Sequence, residues 1–175
     1  MWAMLTVVME CRDQEAELAQ TLSGLVSAAV EGLVSDVVIL DLGSSDGSGR
    51  VADAAGCRFQ TEWRLDEVLR SVRGEWLLLL EPGSRLQPGW IEEVLEYTAL
   101  NQKPAIFSLV RHHRRTLLRR IVETAPVLEC GLLLSRRQAL EAVRPGMDLA
   151  KLALCMKPVS LRSELAPSRA ARAGV

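Results

Sequence analysis

No apolar run in these 175 residues approaches the ~20 needed for a bilayer-spanning helix; stretches such as Trp76 to Leu80 fall far short. No basic residue precedes Arg12, and the apolar stretch Leu5 to Met9 is too short for the core of a signal peptide, so the expected location is cytoplasmic. Cys11, Cys57, Cys130 and Cys155 form no C-x-x-C pair and have no histidine at ligand spacing, which excludes a zinc or redox motif and leaves four small thiols for the interior. Internal repeats and low-complexity linkers are also missing. Residues 1–166 are therefore expected to form one domain, with 167–175 as a flexible tail.

What is present is an ordinary globular composition, 49% hydrophobic and 25% charged, with an uneven distribution of charge. Residues 1–100 carry 7 basic and 17 acidic side chains, a balance of −10, whereas 101–175 carry 14 basic and 5 acidic, a balance of +9. A basic C-terminal third suits phosphate, an anionic membrane surface or the acidic half of the same molecule, and nucleic acid is not an expected partner. Arg111, Arg114, Arg115, Arg119 and Arg120 flank Leu117, Leu118, Ile121 and Val122 with no acid before Glu123. That pattern describes an amphipathic helix able to lie on the inner face of an anionic membrane, or one packed on the sheet with its arginines in water. His112 and His113 read as exposed rather than catalytic.

Apolar runs at Leu5–Met9, Val37–Leu40, Trp76–Leu80, Ala105–Val110 and Gly131–Leu134, with a short strand at Cys57–Gln60, alternate with helical periodicities. Leu18, Leu22, Leu25, Val26 and Ala29 mark one helix, Val51, Ala52 and Ala55 a second, and Leu65, Val68, Leu69 and Val72 a third. Pro88 opens a helix bearing Ile91, Val94 and Leu95, and Ser135 with Gln138 forms a capping box for a helix through Leu140 and Val143. Strands that are apolar throughout indicate a three-layer α/β/α sandwich with a mostly parallel sheet. Ligands of such sheets sit beyond the carboxyl ends of the strands, which singles out Glu10 to Asp13, Asp41 to Asp46 and Glu81 to Ser84.

The segment Ile39-Leu40-Asp41-Leu42-Gly43-Ser44-Ser45-Asp46-Gly47-Ser48 resembles the V-V-D-D-G-S-T-D-G-T signature of family-2 glycosyltransferases, which have the GT-A fold. Val7 to Glu15 resembles that family's opening V-V-I-P-T-x-N-E-E. Gly74 to Leu80 followed by Arg85 to Trp90 resembles G-D-W-L-L-F-L-x-A-D-T-R-L-P-P-G-W, and Gly131 to Ala139 resembles G-x-x-F-V-R-R-x-A-F. The resemblance implies a UDP-type nucleotide-sugar donor and a nucleotide-binding set of Glu10, Arg12, Asp13, Asp41, Gly43, Ser44, Asp46 and Asp66. A carboxylate ending a buried strand can accept hydrogen bonds from uracil or ribose, small residues let the turn approach the nucleotide, and Asp46 can cap the helix that follows.

Departures from the family pattern shape the functional expectation. Its D-x-D motif holds Mn²⁺ or Mg²⁺ against the diphosphate leaving group, but here the segment is Glu81-Pro82-Gly83, so a metal is implied only if Glu81 suffices as a ligand. Leu42 replaces the second acid of D-D-G-S, and Leu65-Asp66-Glu67-Val68 stands in place of L-N-x-G. Met147-Asp148 stands where the resemblance implies the family's E-D pair, which makes Asp148 the expected catalytic base. These features describe a glycosyltransferase-like protein in which transfer to an acceptor hydroxyl is impaired or absent, with an acid at position 83 expected to restore metal dependence. The alternatives are a non-catalytic GT-A scaffold at the membrane surface and, further off, a receiver-like signalling domain suggested by Asp41 and Lys157-Pro158. A dinucleotide-binding reading fails because Gly43, Gly47 and Gly49 do not make G-x-G-x-x-G.

Overall fold

A computed structural model describes residues 4–110 and 126–168. The arginine-rich segment Arg111–Arg120, with His112 and His113, and the last residues, 169–175, lie outside the described residues. No helix among the described residues is long and apolar enough to cross a membrane.

The chain runs β1 (Leu5–Cys11), α1 (Glu15–Val30), β2 (Val34–Asp41), α2 (Ser48–Ala54), β3 (Arg58–Gln60), α3 (Leu65–Ser71), β4 (Trp76–Leu79), β5 (Arg85–Leu86), α4 (Trp90–Leu100) and β6 (Ala105–Leu109). A 3₁₀ turn (Val127–Cys130), β7 (Leu132–Ser135), α5 (Arg136–Ala142), α6 (Leu149–Leu154) and β8 (Val159–Ala166) complete it. The eight strands form one sheet in the order β3-β2-β1-β4-β7-β6-β8-β5. Pairs β1–β2, β1–β4, β2–β3 and β6–β8 are parallel, while β7 runs antiparallel to β4 and β6, and β5 antiparallel to β8.

Strand β1 shows why the runs are apolar throughout. Leu5, Val7, Met9 and Cys11 pack on one face with Leu18, Leu22 and Leu25 of α1, while Val8 packs on the other with Leu65, Val68 and Leu69 of α3. In β4, Trp76 and Leu78 join the first cluster and Leu77 and Leu79 the second. Alternate side chains of one strand thus feed two cores, and the sheet is the middle layer of three. Thr6, fully buried in this apolar setting, is satisfied because its Oγ1 accepts the Gly74 N–H at 3.2 Å.

Some expectations are corrected. On α1 the buried positions are Leu18, Thr21, Leu22, Leu25 and Ala28; Val26 and Ala29 face water, one step round the helix from where the apolar count placed them. Helix α4 begins at Trp90 rather than Pro88, because Gly89 adopts φ 93° at the N-cap and turns the chain. The capping box is present: Ser135 Oγ accepts the Gln138 N–H at 3.2 Å and Gln138 Oε1 accepts the Ser135 N–H at 3.0 Å. Pro167 and Ser168, expected in the tail, are buried.

Gly74 sits where β4 begins against β1, and a Cβ there would lie 2.7 Å from the Met4 carbonyl oxygen and 2.8 Å from the Thr6 nitrogen. Gly74→Ala is expected to destabilise by about 2 kcal/mol or more, since backbone on both sides must shift. Gly24→Ala, in α1 with no heavy atom within 4 Å of the added carbon, should instead be neutral or stabilise by about 0.5–1 kcal/mol. Urea midpoints at unchanged m-value check both, and equal effects would contradict the packing described.

Candidate functional site

Strands β1, β2 and β4 end at one edge of the sheet. Helix α1 leaves β1 over one face while α3 enters β4 from the other, so the chain splits around the carboxyl ends of β1 and β4. Such a split leaves an opening that no crossover covers.

Two loops meet there. Asp13, after β1, has φ 50°, the only non-glycine residue with positive φ among those described, a conformation that aspartate tolerates. Its Oδ1 accepts the Ser45 N–H at 2.7 Å, the Ser45 hydroxyl at 3.2 Å and the Asp46 N–H at 3.3 Å. In return, Ser44 Oγ accepts the Asp13 N–H at 3.0 Å. Asp46 spans two helix starts, accepting the Glu15 N–H at 3.0 Å and the Ser48 N–H at 2.9 Å. Hydrogen bonds from the Ser48 side chain and backbone hold its carboxyl below the usual range. Asp46 thus serves the first N–H of α2, as expected of a capping acid, and also that of α1. Glu15 Oε2 accepts the Gly47 N–H at 3.0 Å, and a Cβ on Gly47 would run into that carboxylate. Most of the predicted nucleotide-binding acids in these loops therefore hold the two loops to each other.

Asp41 is 6% exposed, and its carboxylate accepts the Ser44 N–H at 3.0 and 3.2 Å. The Asp41 carbonyl accepts the Trp63 indole N–H at 2.9 Å, and Gly43 turns the chain at φ 91°. One N–H leaves most of a carboxylate's acceptor positions unfilled, so Asp41 keeps the capacity for another donor.

Beside this turn a cavity of about 310 Å³ opens between Glu10 and Glu81, bounded also by Gln14, Leu42, Leu128 and Ser168. Glu10 Oε1 accepts the Leu149 N–H, the first of α6, at 2.7 Å. Burial raises the Glu10 carboxyl above its ordinary range against that hydrogen bond, and neighbouring Asp148 adds to the rise. Asp148 is the N-cap of α6; its Oδ1 accepts the Lys151 N–H at 2.8 Å and its Oδ2 lies 3.8 Å from the Lys151 ammonium. The structure thus brings Asp148 to the same edge as Glu10 and Asp41. Burial likewise raises the Glu81 carboxyl, with Glu129 adding to it. Among the described residues that line the cavity there is no lysine or arginine.

Gly83 lies in the turn two residues after Glu81. Its φ is +95°, and a Cβ would lie 2.5 Å from Ser168 Oγ and 3.3 Å from Glu17 Cβ. Its N–H donates to Thr21 Oγ1 at 2.8 Å and to the Glu17 carbonyl at 3.0 Å. The cause is β5–β8 pairing: Arg85 opposes Ala166, so two residues back and two forward bring Gly83 against Ser168. A side chain at 83 would meet the Ser168 hydroxyl and would have to take a left-handed backbone, so an acid there is both crowded and strained. Among the described residues no group of three or more His, Cys, Asp or Glu is arranged to hold a metal ion. Glu81 without a second carboxylate at 83 does not fit a firmly held Mn²⁺ or Mg²⁺.

Two predicted residues stand apart. Asp66 Oδ2 is taken by Arg70 at 2.9 Å and Arg64 at 3.3 Å, and these arginines lower its carboxyl pKa despite the opposing effect of desolvation. Arg12 is exposed after β1, its N–H 3.4 Å from Gln14 Oε1. Residues that sequence reasoning missed are Thr21, Glu129 and Ser168. Only Thr21 had a signal, its place on the apolar stripe of α1.

Ionising Glu81 costs stability, because its folded pKa is raised: the contribution is present below the unfolded value and lost as pH climbs through the folded one. Glu81→Gln is therefore expected to raise the urea midpoint at pH 7 in the presence of chelator, with the gap closing as pH falls through the ordinary glutamate range. A gap of opposite sign, or one unchanged at low pH, would contradict the placement of Glu81 in a desolvated acidic pocket.

No protein-family model matches the chain, and comparison with curated protein sequences finds no match. Solved structures do match in shape. Glucosyl-3-phosphoglycerate synthase from Mycobacterium tuberculosis in complex with Mn²⁺, UDP and phosphoglyceric acid superposes with a TM-score of 0.65 at 16% identity, covering 95% of this chain and 71% of that one. The same enzyme with Mn²⁺, UDP-glucose and phosphoglyceric acid gives 0.62 at 20% identity, over 95% and 72% of the two chains. A mycobacterial protein gives 0.64 at 18% identity, over 95% and 68%. Together with the strand order and the split around β1 and β4, these likenesses establish that the chain has the GT-A fold of nucleotide-sugar transferases.

Proposed function

We propose that the chain binds a nucleoside-diphosphate sugar of the UDP type mainly through its nucleoside, and that transfer to an acceptor hydroxyl is impaired or absent. The observation that carries this reading is the left-handed, sterically crowded Gly83, which leaves Glu81 without a second carboxylate at position 83. Glucosyl-3-phosphoglycerate synthase was crystallised with UDP and Mn²⁺, and it is that class of ligand that is carried over to this chain.

Asp41 would accept the imide N–H of uracil or a ribose hydroxyl, in a turn that Ser44 and Asp13 have already fixed. Preorganisation of that kind lowers the ordering cost of binding. Among the described residues the diphosphate meets a less favourable setting, since those that line the cavity include Glu10 and Glu81, with Asp148 and Glu129 close by, and no lysine or arginine. Like charges there oppose both the bound diphosphate and the charge that grows on it as the sugar–oxygen bond breaks. Asp148 would take the proton of the acceptor hydroxyl, with inversion at the anomeric carbon. An uncompensated leaving group keeps that step slow even with the base in place. Peripheral contact with an anionic membrane through Arg111–Arg120 belongs to the same reading as a separate expectation.

Calorimetric titration of the full chain with uridine, UDP and UDP-glucose tests the reading. UDP should bind within about tenfold of uridine, Mn²⁺ should change UDP affinity by less than ~1.4 kcal/mol, and Asp41→Asn should weaken binding at least about tenfold. Tight Mn²⁺-dependent UDP binding would contradict the proposal, and no binding of any nucleotide would favour a scaffold instead.

A further inference from the structure

A second, larger cavity of about 650 Å³ lies at the other end of β4, where Trp76 pairs with Ser135 of β7. Three arginines enter its lining: Arg73 from the loop before β4, and Arg136 and Arg137 from the start of α5. One carboxylate, that of Glu75, opposes them. Trp76, Leu95 and Ala99 give the cavity an apolar side.

The three guanidiniums differ in how they are held. Arg136 donates one N–H to the Val72 carbonyl at 2.7 Å, and its backbone N–H bonds the Glu75 carbonyl at 2.8 Å, so the fold fixes it while most of its donors stay unspent. Arg137 meets Glu141 at 3.1 Å, but these side chains are 70% and 63% exposed, and so open a bridge yields readily to a stronger anion. Arg73 makes no hydrogen bond or ion pair among the described residues. Three like charges gathered in one concavity repel one another, and a phosphate group, whose oxygens match the guanidinium fork, relieves that repulsion. The size falls within the range of small-molecule sites.

From this arrangement we propose that the cavity is a binding site for a small hydroxylated phosphate ester, separate from the nucleotide cavity. The phosphate lies among Arg73, Arg136 and Arg137, the Glu75 carboxylate accepts from a hydroxyl, and the carbon skeleton rests on Trp76 and Leu95. β4 keeps the two sites apart, its four residues spanning roughly 13 Å.

Titration of the ¹⁵N-labelled full chain with glycerol 3-phosphate and with inorganic phosphate, against glycerol and chloride at matched ionic strength, reads the site directly. Saturable shifts are expected at the Trp76 indole and the Gln102 amide with both phosphates, tighter for the ester, and not at Gly43 or Ser44. Arg73→Gln should weaken binding at least about tenfold with no change in thermal midpoint, since Arg73 holds nothing else in place. Absence of saturable shifts through the millimolar range, shifts confined to Gly43 and Ser44, or an Arg73→Gln variant that binds as well as the parent would each overturn the proposal.

Discussion

The parallel register of β1 with β2 on one side and β4 on the other sets the position of everything at the candidate site. Cys11 lies opposite Asp41, and Val8 opposite Leu79, so Glu10, Asp41 and Glu81 leave the sheet at one edge. A strand buried on both faces cannot slip by one residue without exchanging its two cores, so the register is firmly specified. The loops then need only short-range chemistry to finish the site. Asp13, Glu15 and Asp46 supply it by accepting the N–H groups that two helix starts and a tight turn would otherwise leave unpaired.

A second constraint comes from the far edge of the sheet. Pairing of β5 with β8 carries Pro167 and Ser168 over the turn after β4 and presses Ser168 against Gly83. The glycine is thus built into the packing, where the backbone must approach α1 closely enough to reach Thr21 and Glu17. It is more than a missing carboxylate. Ser168 also lines the cavity beside Glu81, whose carboxyl is raised by burial and by Glu129.

Much of this was legible in the sequence because its signals are local. Apolar runs marked the strands of a three-layer sandwich, Ser135 and Gln138 announced their helix, and the glycine- and serine-rich turn after Asp41 pointed to the site. What was illegible depends on partners distant in the chain. Strand β8 carries Arg162, Ser163 and Glu164 in mid-run, with no apolar signature, and is held where Glu93 of α4 accepts the Arg162 and Ser163 N–H groups at 2.8 and 2.6 Å. Helix α6 has only six residues, and the bond from Leu149 to Glu10 joins positions that no spacing rule connects. Asp13, Asp46 and Asp66 were recognisable as acids near a ligand edge, but the N–H groups and arginines that occupy them become apparent only once the loops are folded together.

The central claim, a nucleoside site without a firmly held metal, is tested most directly by a crystal structure with UDP and Mn²⁺ using the anomalous scattering of manganese. The account predicts uracil or ribose against the Asp41 turn and no anomalous peak bridging Glu81 and the diphosphate. An ordered manganese ion at that bridge, with Gly83 and Ser168 in their present positions, would contradict it.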